Sequence, residues 1–154
     1  MSTRKNILVL GIGNLLMGDE GVGVHAIREL EKKVFPGHVT LLDGGTGGFH
    51  LLSLFKEYDP IVIIDATLDQ REEGEVQLRR PRFASDFPRT LSAHDIGLRD
   101  LLESASLLGS LPKMYLVTVS IKDLQAMSTE LTTSVRASLP AVVETVEKVL
   151  TSEN

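Results

Sequence analysis

Ile7-Leu8-Val9-Leu10 carries no polar side chain and runs directly into Gly11-Ile12-Gly13. A short apolar run that stops at glycines reads as a strand buried on both faces, as in a parallel sheet. The pattern then turns helical. Val22, Ala26, Leu30 and Val34 recur at four-residue spacing, Glu29 stands four residues before Lys33, and Pro36-Gly37 ends the run. Strand, glycine turn and amphipathic helix make a βα unit, and that unit sets the terms for the rest of the chain.

The alternation continues. The sequence predicts strands over residues 6–10, 39–42, 61–64 and 113–120, and helices over 21–35, 49–58, about 92–108 and 132–150. Residues 75–79 alternate as an edge strand would, in an antiparallel sense, and 81–88 read as an irregular loop. Ser92-Ala93-His94-Asp95 resembles a capping box. In the last helix Val135, Leu139, Val142, Val146 and Val149 share one face, and Pro140 is expected to kink it. No linker, repeat or low-complexity segment divides residues 1–154, so a single domain with a mostly parallel sheet covered on both faces is expected.

Composition removes several functions. The 154 residues carry a formal charge of −5, which argues against a nucleic-acid surface. There is no cysteine, which excludes disulfides, thiolate metal sites and a cysteine nucleophile and fits a reducing cytoplasm. No apolar stretch is long enough to span a bilayer, and Arg4-Lys5 with the following apolar run lacks a cleavage site. The G-x-S-x-G elbow, H-E-x-x-H, and the Asp-Thr-Gly or Asp-Ser-Gly of ordinary aspartic proteases are all missing.

The chemistry is expected where a doubly wound sheet binds ligands, outside the carboxyl ends of its strands at the switch in strand order. Glu20 follows strand one, Asp43 closes strand two and Asp65 closes strand three. With a strand order beginning 2-1-3, Glu20 and Asp65 flank the switch. Gly11-x-Gly13 starts like a dinucleotide fingerprint, but Leu16 holds the third glycine position. Asp19 and Glu20 also stand where a pyrophosphate would need an unopposed helix N-terminus. That loop therefore favours a cation over a phosphate, or its acids simply complement the helix dipole. The run of residues 44–48 is either an anion nest or a tight turn. His25, His38 and His50 read as structural or solvated, and His94 lies in the loop after the third strand.

Taken together, Gly11-Ile12-Gly13-Asn14-Leu15-Leu16-Met17-Gly18-Asp19-Glu20-Gly21-Val22-Gly23-Val24, Asp43-Gly44-Gly45-Thr46-x-Gly48, Asp65-Ala66 and Ser92-x-His94-x-x-Gly97-Leu98 resemble the maturation endopeptidases of nickel–iron hydrogenases. The resemblance covers about residues 5–150. It implies a twisted five-stranded sheet between helices. It also implies removal of a C-terminal extension from a nickel-loaded hydrogenase large-subunit precursor. The family's metal-contacting residues match Glu20, Asp65 and His94, and Asp43 matches its Asp-Gly-Gly element. Two carboxylates and an imidazole suit a divalent first-row ion and leave positions open for ligands of the substrate. Nickel is then expected to arrive with the substrate and not to be held tightly by the enzyme. Glu20, Asp43 and Asp65 are the candidate catalytic acids, and a monomer that docks transiently on the precursor is expected. The stretch Val117-Thr118-Val119-Ser120-Ile121-Lys122 departs from the family, which usually shows a Gly and then a Pro there. The departure bears on local shape and partner choice. The competing classes are a nickel-binding chaperone without peptidase activity and a nucleotide-binding module.

Overall fold

A computed structural model describes residues 6–45, 49–82, 98–109, 111–123, 125 and 127–153. The elements, in chain order, are β1 (Ile7–Gly11), a 3₁₀ turn (Gly18–Gly21), α1 (Val22–Leu30) and β2 (Val39–Asp43). A second 3₁₀ turn (Phe49–Ser53) leads into α2 (Leu54–Glu57), followed by β3 (Ile61–Thr67) and β4 (Val76–Arg79). The chain ends with α3 (Leu98–Leu108), β5 (Met114–Ser120) and α4 (Thr133–Ser152). The strands form one five-stranded sheet in the order β2-β1-β3-β5-β4. Pairs β1–β2, β1–β3 and β3–β5 are parallel, and β4 runs antiparallel to β5 at the edge.

Residue type explains that order. Every residue of β1, β3 and β5 is buried, as strands covered on both faces require. The half-exposed β2 and the short β4 take the edges. Side chains alternate between two cores. Val9, Val62, Ile64, Val117 and Val119 pack beneath α1 and α4, against residues such as Ile27 and Val146. Leu8, Leu10, Ile61, Ile63 and Leu116 pack on the other face, against Phe55, Leu102 and Ala105 of α2 and α3. Full burial of one such Leu or Ile stabilises the fold by about 1.5–3 kcal/mol, so β3 and β5 anchor both layers. Gly23 lets α1 approach the sheet: a Cβ there would run into the main-chain oxygens of Ile12 and Ile64.

The expected three-layer architecture and antiparallel edge are present. Two local expectations change. The first helix ends at Leu30 and not near 35, and its first turn is 3₁₀ and not α. The last helix contains Pro140 and is packed along its length by Val135, Leu139, Val142, Val146 and Val149, as its stripe predicts. Strand three extends to Thr67 because β5 pairs with it as far as Ser120, so Asp65 lies within the strand and not at its end. The segment proposed as a capping box, 92–95, falls outside the described residues. Among the described residues, no helix is long and apolar enough to cross a membrane.

Candidate functional site

The order β2-β1-β3 puts the strand-order switch at the carboxyl ends of β1 and β3. The loop leaving β1 is tied down on three sides. Ile12 N–H donates to the Ile64 carbonyl at 2.9 Å, continuing the ladder with β3. On the β2 side, Gly13 N–H donates to Gly45 O at 2.7 Å and Gly44 N–H to Gly11 O at 2.8 Å. The glycine run thus begins as a turn that lets two loops meet. On the third side, Gly18 N–H donates to Ser128 O at 2.7 Å and Ser128 N–H to Leu16 O at 3.0 Å. Gly13 holds φ +153°, and a Cβ there would run into the Glu20 main-chain oxygen, so the loop folds back on itself only with glycine at this position.

This folding back separates two adjacent acids. Asp19 is fully buried. Its Oδ1 accepts the Thr132 N–H at 2.7 Å and its Oδ2 the Thr132 hydroxyl at 2.8 Å, while its own N–H donates to Gln125 Oε1 at 2.9 Å. Asp19 was expected to support the start of the helix that follows it. Instead it ties down Thr132, which stands at the N-cap position of α4 and gives its hydroxyl to Asp19 and Glu73. The 3₁₀ turn is the cause: it places Asp19 ahead of the first α1 turn and directs its carboxylate across the chain.

Glu20, next along, is 9% exposed and acts on Asp65. Asp65 is 8% exposed, and its Oδ1 accepts the Ala66 N–H at 2.8 Å. Burial pushes the Asp65 carboxyl up to about 8; the Ala66 bond opposes the shift and the Glu20 charge adds to it. Two acids in one dry place cannot both ionise cheaply without a cation. At neutral pH the Asp65 carboxyl holds its proton, and an arriving divalent ion would displace it.

The other candidate residues fall elsewhere. Asp43 is exposed at the end of β2, and its Oδ1 accepts the Gly45 N–H at 2.8 Å, closing an Asx turn. Gly11 aligns with both Asp43 and Ile64, so Asp43 lies on the α1 face of the sheet and Asp65 on the opposite face. Glu20 thus acts on Asp65, while Asp43 lies on the opposite face of the sheet from Asp65, in the turn bonded to the Glu20 loop. His94 lies outside the described residues, and among the described residues no cluster of three acidic or imidazole side chains forms. His25 is partly buried beside Thr129; burial lowers its pKa, and the hydrogen bond with the Thr129 main chain offsets part of the effect. That placement fits its structural reading.

Sequence reasoning missed the outer wall of this site. Gln125, Ser128 and Thr132 hold the Glu20 loop from the far side. It also missed Thr118, the β5 residue in register with Asp65, which is 1% exposed and whose Oγ1 lacks a hydrogen-bond partner among the described residues. The polar interruption of an otherwise apolar strand at 118 and 120 was the available signal.

Comparison with known proteins gives a consistent picture. A model of a family described as hydrogenase maturation protease matches residues 24–149. The hydrogenase expression/formation protein HupD of Bradyrhizobium diazoefficiens is 36% identical over 97% of this chain and 80% of its own length. The hydrogenase 2 maturation protease of Escherichia coli is 33% identical over 91% of this chain and 87% of its own. Among solved structures, the hydrogenase maturating endopeptidase HybD from E. coli superposes with a TM-score of 0.87 at 33% identity, covering 97% of this chain and 94% of that one.

Proposed function

The chain belongs to the hydrogenase maturation protease family and is a peptidase; from that premise we propose that it removes the C-terminal extension of a nickel–iron hydrogenase large-subunit precursor, recognising the nickel that the precursor carries. One observation carries the reading: Glu20 and Asp65 are two buried acids at the strand-order switch, and burial with the nearby Glu20 charge raises the Asp65 carboxyl to about 8. Such a pair is poorly suited to grip an anion and well suited to share a divalent cation. His94, contributed by the segment before α3, is proposed as the third contact.

The metal is part of the substrate. Three side-chain contacts leave its remaining positions to ligands of the precursor, so docking is strong only when the precursor is loaded. Glu20 and Asp65 then fix the distance between the bound nickel and the scissile peptide. In the cleavage itself a water oxygen bonds to the peptide carbonyl carbon and the C–N bond breaks. The water's protons pass to the leaving amine and to the carboxyl side. A carboxylate oxygen of Glu20 or Asp65 that the metal leaves free would accept one of these protons. Asp43, on the other face of the sheet, serves the turn that holds the Glu20 loop in place.

The test is incubation of the purified chain with a nickel-loaded large-subunit precursor, read by intact mass. A mass loss matching a C-terminal peptide is expected. A precursor that is bound but left intact would reassign the chain to chaperoning.

A further inference from the structure

Thr118 lies within β5, one strand in from the edge of the sheet. It pairs in parallel register with Asp65, as Leu116 does with Ile63. Register partners on parallel strands present their side chains to the same face about 4.8 Å apart. Leu116 and Ile63 both belong to the core beneath α2 and α3. Two residues further along, the same alternation brings Asp65 and Thr118 side by side on that face. Thr118 is 1% exposed and its Oγ1 has no hydrogen-bond partner among the described residues. The neighbouring hydroxyl on this strand is treated differently: Ser120 Oγ donates to Asp69 Oδ1 at 2.8 Å. A buried hydroxyl left unpaired is costly, and native structures retain few of them. Thr118 also falls in the stretch that departs from the family's usual pattern.

We propose that Thr118 belongs to the site: its hydroxyl donates a hydrogen bond to an oxygen held against Asp65 during hydrolysis. That oxygen is either the water that attacks the scissile bond or the peptide carbonyl oxygen it attacks. Both are hydrogen-bond acceptors, and each has room for one more donor. The inference rests on the peptidase reading of the same site. Thr118 adds no acid or base. It fixes where the oxygen sits relative to the carboxyl beside it, and in a dry site such a bond is worth more than in water.

The experiment compares wild type with Thr118→Val and Thr118→Ser on the nickel-loaded precursor, together with urea unfolding. Valine keeps the shape and the strand preference and removes only the hydroxyl. The expected result is a loss of about tenfold in kcat/KM for Thr118→Val, restored by Thr118→Ser. The urea midpoint of the valine variant should be equal to or above that of wild type. A loss confined to kcat identifies the attacking water, and a rise in KM identifies the carbonyl of the docked peptide. A valine variant that cleaves as fast as wild type overturns the proposal and leaves the peptidase reading intact. A valine variant with a lower urea midpoint also overturns it, by showing that the hydroxyl serves the fold. If wild type itself cleaves nothing, a high-resolution crystal structure of the free protein decides. An ordered water bridging Thr118 Oγ1 and Asp65 supports the proposal, and its absence sinks it.

Discussion

The two ends of the sheet treat a carboxylate in opposite ways. At the carboxyl end, Asp65 is buried beside Glu20 and its pKa rises to about 8. Toward the other end, Glu153 lies beside Lys113 at the mouth of β5. Burial there would raise its pKa, but hydrogen bonds from Lys113 at 2.7 Å and from Tyr115 outweigh it, and the pKa falls. Arg80 and Lys113 also lie over the Tyr115 ring, 5.0 and 5.4 Å from its centre. Glu153 thus pins the end of α4 to the strand. Its charge is neutralised on the spot, whereas the Asp65 carboxyl has no cation beside it among the causes of its shift and keeps its proton at neutral pH. One end of the molecule is finished as a structure. On the proposed reading, the other is completed by a cation.

The largest effect should come from removing the acids at the unfinished end. Glu20→Ala, Asp65→Ala and His94→Ala should each reduce precursor cleavage by about 1,000-fold or more while leaving circular dichroism unchanged. Retained cleavage in the His94 variant would remove that residue from the site and leave the Glu20–Asp65 pair standing.

The second effect concerns stability. The folded-state pKa of Asp65 is raised above its unfolded value of 3.8, so between about pH 4 and 8 the folded state binds the extra proton. Stability from this group is therefore fully present below pH 4, declines as pH rises, and levels off above pH 8. Asp65→Asn should remove that slope. At pH 8.5 it should be more stable than wild type, by up to a few kcal/mol, in urea unfolding. Glu153 has the opposite sign: its folded pKa is lowered, so its stabilisation is present at neutral pH and is lost as pH falls through the acidic range.

A middle-sized effect should separate Asp19 from its neighbour Glu20. Asp19→Ala leaves the Thr132 N–H without its acceptor and the Thr132 hydroxyl with Glu73 alone, and should cost about 2 kcal/mol. Asp19→Asn should be milder. Its amide oxygen still accepts the Thr132 N–H, and the Thr132 hydroxyl has Glu73 Oε1 within 3.0 Å as a second acceptor. If Asp19→Asn abolishes cleavage with stability unchanged, Asp19 contributes charge to the site as well as support.

The smallest effect should be Glu153→Gln, at about 1 kcal/mol or less because the pair is solvent-screened, weaker still in high salt, and with cleavage unchanged.

Most of the fold could be read from residue order. The apolar strands stop at glycine or acid, and the helices between them have clean four-residue stripes, so the parallel sheet and its switch point follow. Glu20 and Asp65 were legible for the same reason, since both lie where such a sheet gathers ligands. The partner of Asp19 was not legible, because Thr132 is 113 residues away and joins it only through tertiary folding. Asp65 read as a strand end because the apolar run stops at Ile64, but pairing with β5 carries the strand on to Thr67. Thr118 is a polar interruption of an apolar strand in the sequence, but its unpaired hydroxyl becomes visible only once its burial is known. Asp43 shares a motif with the site yet lies across the sheet from Asp65, because a shift of one residue along a strand reverses the face.

On the proposed reading, the carboxyl end of the sheet is completed by the nickel of its substrate. The decisive measurement offers wild-type protein the same large-subunit precursor with and without nickel and follows the C-terminal peptide by mass spectrometry. Cleavage of the loaded precursor alone is expected. Equal cleavage of both forms would show that Glu20 and Asp65 recognise something other than the metal.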